Sequence, residues 1–262
     1  MDRQEELHAA GKDADVRRIR ELRSSEVDHT WMFSVNTFYG PVLTPDDYAT
    51  AQRIRLGAKL LDDDIVCAQC GRRVLDTQCY HAQCCSTAEA TIGHNRVRDA
   101  LHAGFVLSDP GANTETLGLV ESQPDLRPAD ILTRSAMPNT VTALDVGICS
   151  PESADAGADC AESMVQEKMR HYGNVLPELE RSGVRYVPIT FSCYGRRHQT
   201  TSKIMIQAAI LAARSRGLPD HKPLLRRWHC TISTEIWKRA ATMARACMPK
   251  ISRDAEKLLE EI

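Results

Sequence analysis

The stretch that decides the fold is residues 126–148, LRPADILTRSAMPNTVTALDVGI. Two short apolar runs each carry one aspartate, Asp130 and Asp145, and a turn-like segment separates them. Alternation along the second run places Asp145 on the same face as Ala143 and Gly147, whose small side chains leave space beside the carboxylate. Because a buried carboxylate is costly without a partner, this pair of strands predicts a polar site inside an apolar core.

The segments on either side predict helices and one more strand. One helix begins with Thr44 as N-cap and Pro45 at its first position, and a second, amphipathic helix covers 91–105. Residues 184–191 predict a third strand, in which Pro188 indicates an edge or a bulge. Helices follow from there to the end of the chain. The order predicts an α/β (α+β) fold, a mixed sheet flanked by helices.

Length and charge exclude several classes of protein. The chain has 262 residues and a formal net charge of −2, enough length for a sizeable core. It has no run of about 18 apolar residues, and its charged N-terminus has no apolar signal core. We therefore expect an intracellular protein with no membrane segment. The near-neutral charge argues against a bulk polyanion binder, but basic runs such as 194–198, YGRRH, leave nucleic acid as a local partner.

Cysteine is concentrated in one segment. Five of the ten cysteines lie in residues 67–85, CAQCGRRVLDTQCYHAQCC. Cys67 and Cys70 form a C-x2-C knuckle, and four such ligands satisfy a tetrahedral, closed, structural zinc site. The second pair of ligands comes from four candidates, Cys79, His81, Cys84 and Cys85. Their spacing allows more than one choice. A chance run of buried or reactive cysteines is the alternative.

A lysine occupies the apolar face of a predicted helix. On a helical wheel of residues 162–172, ESMVQEKMRHY, Lys168 lies in the middle of the apolar arc. Its stem either carries the ammonium out to solvent or holds it inside, near Asp130 and Asp145. Two carboxylates and a lysine are suited to hydrolysing a phosphodiester with Mg²⁺ bound through carboxylate oxygens. Two aspartates satisfied in turns or caps are the alternative.

The order of these motifs resembles a known family. A C-x2-C…H-x3-C knuckle, the helix motif HNRVRDAL, the strand motifs RPAD and LDVGICSP, and a helix with Lys and Tyr follow one another. Together they are similar to the C-terminal region of non-LTR retrotransposon polyproteins that carry a restriction-like endonuclease of the PD-(D/E)xK superfamily. The resemblance covers about residues 43–200. It implies a restriction-endonuclease-like sheet.

The resemblance also implies a division of the chain and a set of site residues. The family's knuckle spacing selects Cys85 over Cys84, and its catalytic acids match Asp130 and Asp145. The implied divisions are a helical segment at 1–60 that links to a reverse transcriptase in the family, a zinc knuckle at 61–90, an endonuclease core at 91–200 and a helical tail at 201–262. The implied zinc ligands are Cys67, Cys70, His81 and Cys85. The implied catalytic residues are Asp130, Asp145 and Lys168, with Glu115 as a further acid, and Asp130 and Asp145 hold the magnesium.

Basic and imidazole side chains are the expected contacts to nucleic acid. Arg127 belongs to the family's basic-Pro-Asp motif and His94 to its helix motif, for which a packed core histidine is the alternative. The basic run adds Arg196, Arg197 and His198 as phosphate contacts, which fix position without reading sequence.

The expected function is a metal-dependent DNA endonuclease module that acts on chromosomal DNA in the nucleus, with DNA and element RNA as partners. The chain departs from the family's pattern, because Asp145 is not followed by the E-x-K lysine, and Ser192 and His171 replace a common glutamate and lysine. It also has no Tyr-x-Asp-Asp polymerase motif, which indicates a fragment or a domesticated module. The alternatives are therefore a non-catalytic zinc-stabilised nucleic-acid-binding module or an inactive fragment.

Overall fold

The computed structural model describes residues 13–34 and 41–249. Seven α-helices lie in this part of the chain, with short 3₁₀ helices at Thr30–Phe33 and Tyr80–Cys84. The α-helices are α1 (Asp13–Leu22), α2 (Pro45–Leu56), α3 (Ala88–Val106), α4 (Cys160–His171), α5 (Leu176–Arg181), α6 (Gln199–Ser215) and α7 (Lys222–Cys247). The strands are β1 (Ile65–Val66), β2 (Val74–Leu75), β3 (Asn113–Thr114), β4 (Ile131–Met137), β5 (Thr140–Cys149) and β6 (Val184–Ser192).

The strands form two sheets. β1 and β2 pair antiparallel, and the main sheet has the order β3-β4-β5-β6. β4 and β5 form the antiparallel hairpin predicted from residues 126–148, with Asn139 in the left-handed region at φ 54°. Asparagine tolerates this conformation better than most residues, so it suits the turn. β6 runs parallel to β5 at the sheet edge, where Pro188 is opposite Asp145.

Helices cover both faces of the main sheet. α3, α6 and α7 pack on one face, and α4 and α5 pack on the other. Alternation in β5 divides its side chains between these two layers, since Leu144 and Val146 belong to the first core and Ala143 to the second. The first core also contains Val97, Leu101, Phe105, Ile131, Ile189, Phe191, Met205, Trp228 and Ile232.

A third core, separate from the two beside the main sheet, joins the cysteine-rich segment to α7. Trp237 of α7 stacks on Trp31 with ring centroids 4.8 Å apart. Leu75 and Cys79 from the cysteine-rich segment are fully buried in the same cluster. Burial of these aromatic and aliphatic surfaces fixes the segment against the rest of the protein.

The mixed α/β class is confirmed. The cap at Thr44 is also confirmed, since its hydroxyl accepts from Asp47 N and Pro45 opens α2. The division at 1–60, 61–90, 91–200 and 201–262 stays a prediction. Its outer parts, residues 1–12 and 250–262, lie outside the described residues, as do 35–40. Among the described helices, none is long and apolar enough to cross a membrane.

We expect a methyl group at Gly104 to separate α3 from α7. A Cβ there would lie 1.9 Å from Cε2 of Trp228, whose Nε1 donates to the Ala100 carbonyl at 2.9 Å. Gly104→Ala should therefore lower the free energy of unfolding by about 1–3 kcal/mol in urea titrations, despite alanine's better helix propensity. Gly111→Ala is the control, because its Cβ would meet only Asp109 Oδ1 at 3.4 Å. Equal stability of the two variants would contradict this packing.

Candidate metal centre and acidic site

Four side chains of the cysteine-rich segment converge on one point. Their ligand atoms all lie within 4.8 Å of one another. Cys67 Sγ is 3.9 Å from Cys85 Sγ, and Cys70 Sγ is 3.4 Å from His81 Nε2. The edge of a tetrahedron around zinc with bonds of ~2.3 Å is about 3.8 Å long. The donor set therefore fits a metal such as zinc.

Local backbone geometry builds this cluster. Gly71 has φ 62° and closes the turn after the C-x2-C pair, with its amide donating to the Cys67 carbonyl at 2.9 Å. Asp76 accepts from the amides of Tyr80 and His81 and so holds the second pair in position. Hydrogen bonds from the amides of Arg72 and Arg73, followed by one from His81, lower the pKa of Cys70 to about 6. A thiol that ionises this readily favours metal binding.

The structure assigns the fourth position among the candidates. Cys85 belongs to the converging group and Cys84 does not, in agreement with the spacing of the family that the sequence resembles. Cys79 is buried in the adjacent core. No sequence pattern pointed to Cys247, which lies at the end of α7 in the same buried cluster as Cys67 and Cys85 and whose pKa is raised by burial. No local signal marks it, because it lies far from the knuckle in sequence.

Asp145 and Lys168 form an ion pair inside the sheet–helix layer. Lys168 Nζ donates to Asp145 Oδ1 at 2.6 Å, and Tyr186 Oη donates to Oδ2 at 2.5 Å. Asp145 is 7% exposed. Burial raises the pKa of Asp145, and Lys168 and then Tyr186 oppose that rise. Burial also raises the pKa of Tyr186, so its hydroxyl stays a donor.

Gly147 makes room for this lysine. A Cβ at Gly147 would lie 2.8 Å from Lys168 Cε and 2.9 Å from Met164 Cγ. The space that the small residues of β5 leave is therefore occupied by the stem of Lys168. Sequence analysis did not identify Tyr186, because its contact with Asp145 depends on the parallel pairing of β5 with the distant β6.

The side chains of Asp130 and His94 hydrogen-bond to the backbone of β5 next to this ion pair. Asp130 Oδ2 accepts from Val146 N at 2.7 Å, and His94 Nε2 donates to Val146 O at 3.1 Å. His94 Nε2 is also 3.5 Å from Asp130 Oδ2. Burial alone would raise the pKa of Asp130, but the hydrogen bond and charge of His94 hold it below its usual value.

Glu115 lies next to Asp130 through the backbone. Its amide donates to the Asp130 carbonyl at 3.1 Å, and its φ is 53°. Its carboxylate pairs with Arg98 at 2.5 Å and with Arg127 at 3.3 Å. Arg127 is more than half exposed, so a basic side chain stands at the surface beside the acidic residues.

The other predicted nucleic-acid contacts are engaged within the protein. Arg196 pairs with Glu21 at 2.7 Å and Asp159 at 2.6 Å, and its side chain is largely buried. Arg197 is buried and its Nε donates to the Ser202 hydroxyl. His198 caps α6 and lies 2.9 Å from Glu162. Their binding of phosphate stays a prediction.

Comparison with known proteins gives no match to a family model or to a curated protein. Membership of the endonuclease family therefore stays a prediction that rests on the motifs of the sequence.

We expect one zinc ion per chain in the knuckle, with Cys85 and not Cys84 among its ligands. Both Cys85→Ser and Cys84→Ser should be made in a Cys247→Ser background, so that the neighbouring thiol cannot replace a lost ligand. Cys85→Ser should weaken zinc binding about a hundredfold or more. Loss of a residue that only hydrogen-bonds to a metal ligand already lowers metal affinity by about 10–100-fold. Elemental analysis and Co²⁺ spectra measure this. Zinc lost from the Cys84 variant and kept by the Cys85 variant would contradict the assignment.

The His94–Asp130 pair predicts a pH dependence. Asp130, followed by the Val146 carbonyl, raises the pKa of His94 against the opposing effect of burial. The pair therefore stabilises the fold below the unfolded histidine pKa of ~6.5, and this contribution is lost as pH rises through the higher folded value. In NMR titrations, Asp130→Asn should lower the pKa of His94. The exposed Asp125→Asn is the control, and an unchanged His94 in Asp130→Asn would contradict the pairing.

Proposed function

We propose that this protein is a metal-dependent endonuclease that hydrolyses phosphodiester bonds of DNA in the nucleus, with element RNA as a further partner. The observation that supports this best is the ion pair of Lys168 with Asp145, enclosed in an α/β layer and adjacent to Asp130, which directly precedes β4. A restriction-endonuclease-like fold is part of the same proposal, supported by the mixed sheet with helices on both faces.

The two acids retain capacity for a metal. A carboxylate has about four lone-pair positions, and the contacts to Asp130 engage Oδ2, with none joining Oδ1 to a described residue. Mg²⁺ binds through one or two carboxylates and keeps several waters, so Asp130 and Asp145 are the candidate ligands for such an ion. An Mg²⁺ ion held there would polarise the phosphate and lower the pKa of a bound water.

The protein's own groups supply orientation and charge. Tyr186 and Lys168 donate to the two oxygens of the Asp145 carboxylate, which fixes its orientation. The ammonium of Lys168 places a positive charge beside the acids, where negative charge develops on the phosphate. Glu115 lies beside Asp130 and pairs with the exposed Arg127, which is placed to contact an incoming strand.

A non-catalytic, zinc-stabilised nucleic-acid-binding module is the second candidate. The observation that favours it is that Asp130 and Asp145 already have structural partners, Val146 N for one and Lys168 with Tyr186 for the other. In addition, the knuckle is the single group of three or more converging metal-ligating residues within 13–34 and 41–249. Such a module binds DNA or RNA with strong salt dependence and has no need of magnesium.

Plasmid nicking with zinc-loaded protein and Mg²⁺ separates the two candidates. We expect Asp145→Asn and Lys168→Met to reduce the nicking rate by about a hundredfold or more, as loss of one charge-stabilising group does in other enzymes. DNA binding by fluorescence anisotropy should persist in both variants. Circular dichroism and thermal unfolding show whether each variant is folded.

Exposed residues provide the matched controls. Asp63→Asn and Lys203→Met make the same chemical changes on the surface and should nick at the wild-type rate. Equal nicking by wild type and folded Asp145→Asn would refute the catalytic assignment. Binding by wild type with no Mg²⁺-dependent nicking would support the second candidate.

A further inference from the structure

An arginine without a partner lies inside the protein, between the knuckle and the sheet. Arg239 of α7 is 7% exposed, and its buried Nε has no hydrogen-bond partner. Within 13–34 and 41–249, no ion pair or side-chain hydrogen bond engages its guanidinium. Its stem packs on Gly93 of α3, where a Cβ would lie 2.4 Å from Arg239 Cγ. An unpaired buried charge is costly, so this position calls for a counter-charge.

The surrounding protein does not supply that counter-charge. The thiols of Cys193 and Cys149 are the first groups whose charge would favour the arginine. Burial raises the pKa of Cys193, and a hydrogen bond with Cys160 together with burial raises the pKa of Cys149. Both thiols are therefore neutral near pH 7. Burial is the largest influence on the pKa of Arg239 and lowers it.

Arg239 lines a cavity of about 350 Å³. The knuckle contributes Ser86 to its wall, and the segment after β5 contributes Ser150 and Ser153, so hydroxyl groups accompany the guanidinium. Asp155 and Glu167 also line the cavity, and both are exposed to solvent, where water screens their charge. The volume accommodates a tetrahedral oxyanion with several waters.

We infer that this cavity is a binding site for a phosphoryl group, with Arg239 as its main ligand and serine hydroxyls as secondary donors. A guanidinium presents two parallel N–H groups that match two phosphate oxygens. Ile148 and Met164 also line the cavity, three residues along β5 from Asp145 and one turn of α4 from Lys168. Along these elements the offsets between backbone positions are about 10 Å and about 6 Å.

The occupant we assign is a backbone phosphate of the DNA that the acidic site cuts. This assignment to DNA rests on the proposed function, whereas binding of inorganic phosphate to Arg239 does not.

The test is thermal unfolding of the zinc-loaded full chain in potassium phosphate and in potassium chloride of equal ionic strength. Phosphate should raise the Tm of wild type in a saturable way. Arg239→Met should have a higher Tm than wild type in chloride, because it removes an unpaired buried charge, and should not respond to phosphate. The exposed Arg226→Met is the matched control and should respond as wild type does. No saturable rise in wild type, or the same rise in Arg239→Met, would overturn the site.

Arg239→Lys keeps the charge and loses the paired N–H groups. It replaces Arg239→Met in the test if the methionine variant does not fold. The phosphate concentration at its midpoint should rise roughly tenfold, and an unchanged midpoint would overturn the role of Arg239.

Fluorescence anisotropy with a DNA duplex then separates the two sources of phosphate. Weaker DNA binding by the Arg239 variants supports a backbone phosphate, while unchanged DNA binding overturns that assignment and leaves a site for free phosphate. Absence of nicking would refute the proposed function without affecting the phosphate titration.

Discussion

The buried carboxylate of Asp145 constrains the layer in which it lies. An isolated carboxylate at this depth would lose its hydration without gaining a hydrogen bond or an opposite charge. β5 therefore requires a cation and a hydrogen-bond donor on the same face. α4 supplies Lys168 and β6 supplies Tyr186. A Cβ at Gly147 would lie 2.8 Å from Lys168 Cε, so the absence of a side chain there leaves room for the lysine. One ionised group thus links a strand, its parallel neighbour and the helix above them.

α7 packs on the opposite face of the main sheet and extends to the candidate metal centre. Its first half packs Trp228 against α3 in the core of the main sheet, and Trp237 lies in the core of the cysteine-rich segment. Its last residue, Cys247, lies in the same buried cluster as the candidate ligands Cys67 and Cys85, and Arg239 lies between the two regions. The candidate metal ligand Cys85 lines the cavity at Arg239. We therefore expect loss of a bound metal to change the shape of that cavity.

Local patterns predicted the elements better than the contacts between them. Thr44 and Pro45 mark a helix start by their own chemistry, and the wheel position of Lys168 follows from helical periodicity. Tyr186, Cys247 and Arg239 carry no such signal, because each reaches its partners through packing of distant segments. The same holds for Arg196, which looked like a surface phosphate contact but pairs with Glu21 of α1. The choice of Cys85 over Cys84 came from a family spacing, since both residues satisfy the local motif.

The claim that Asp130 and Asp145 form a divalent-metal site is tested most directly by Mn²⁺. The measurement is paramagnetic broadening of assigned amide signals as zinc-loaded protein is titrated with Mn²⁺. We predict selective broadening around Asp130, Asp145 and Lys168 that disappears in Asp145→Asn. Broadening that spares β5, or that is unchanged in Asp145→Asn, would contradict the account.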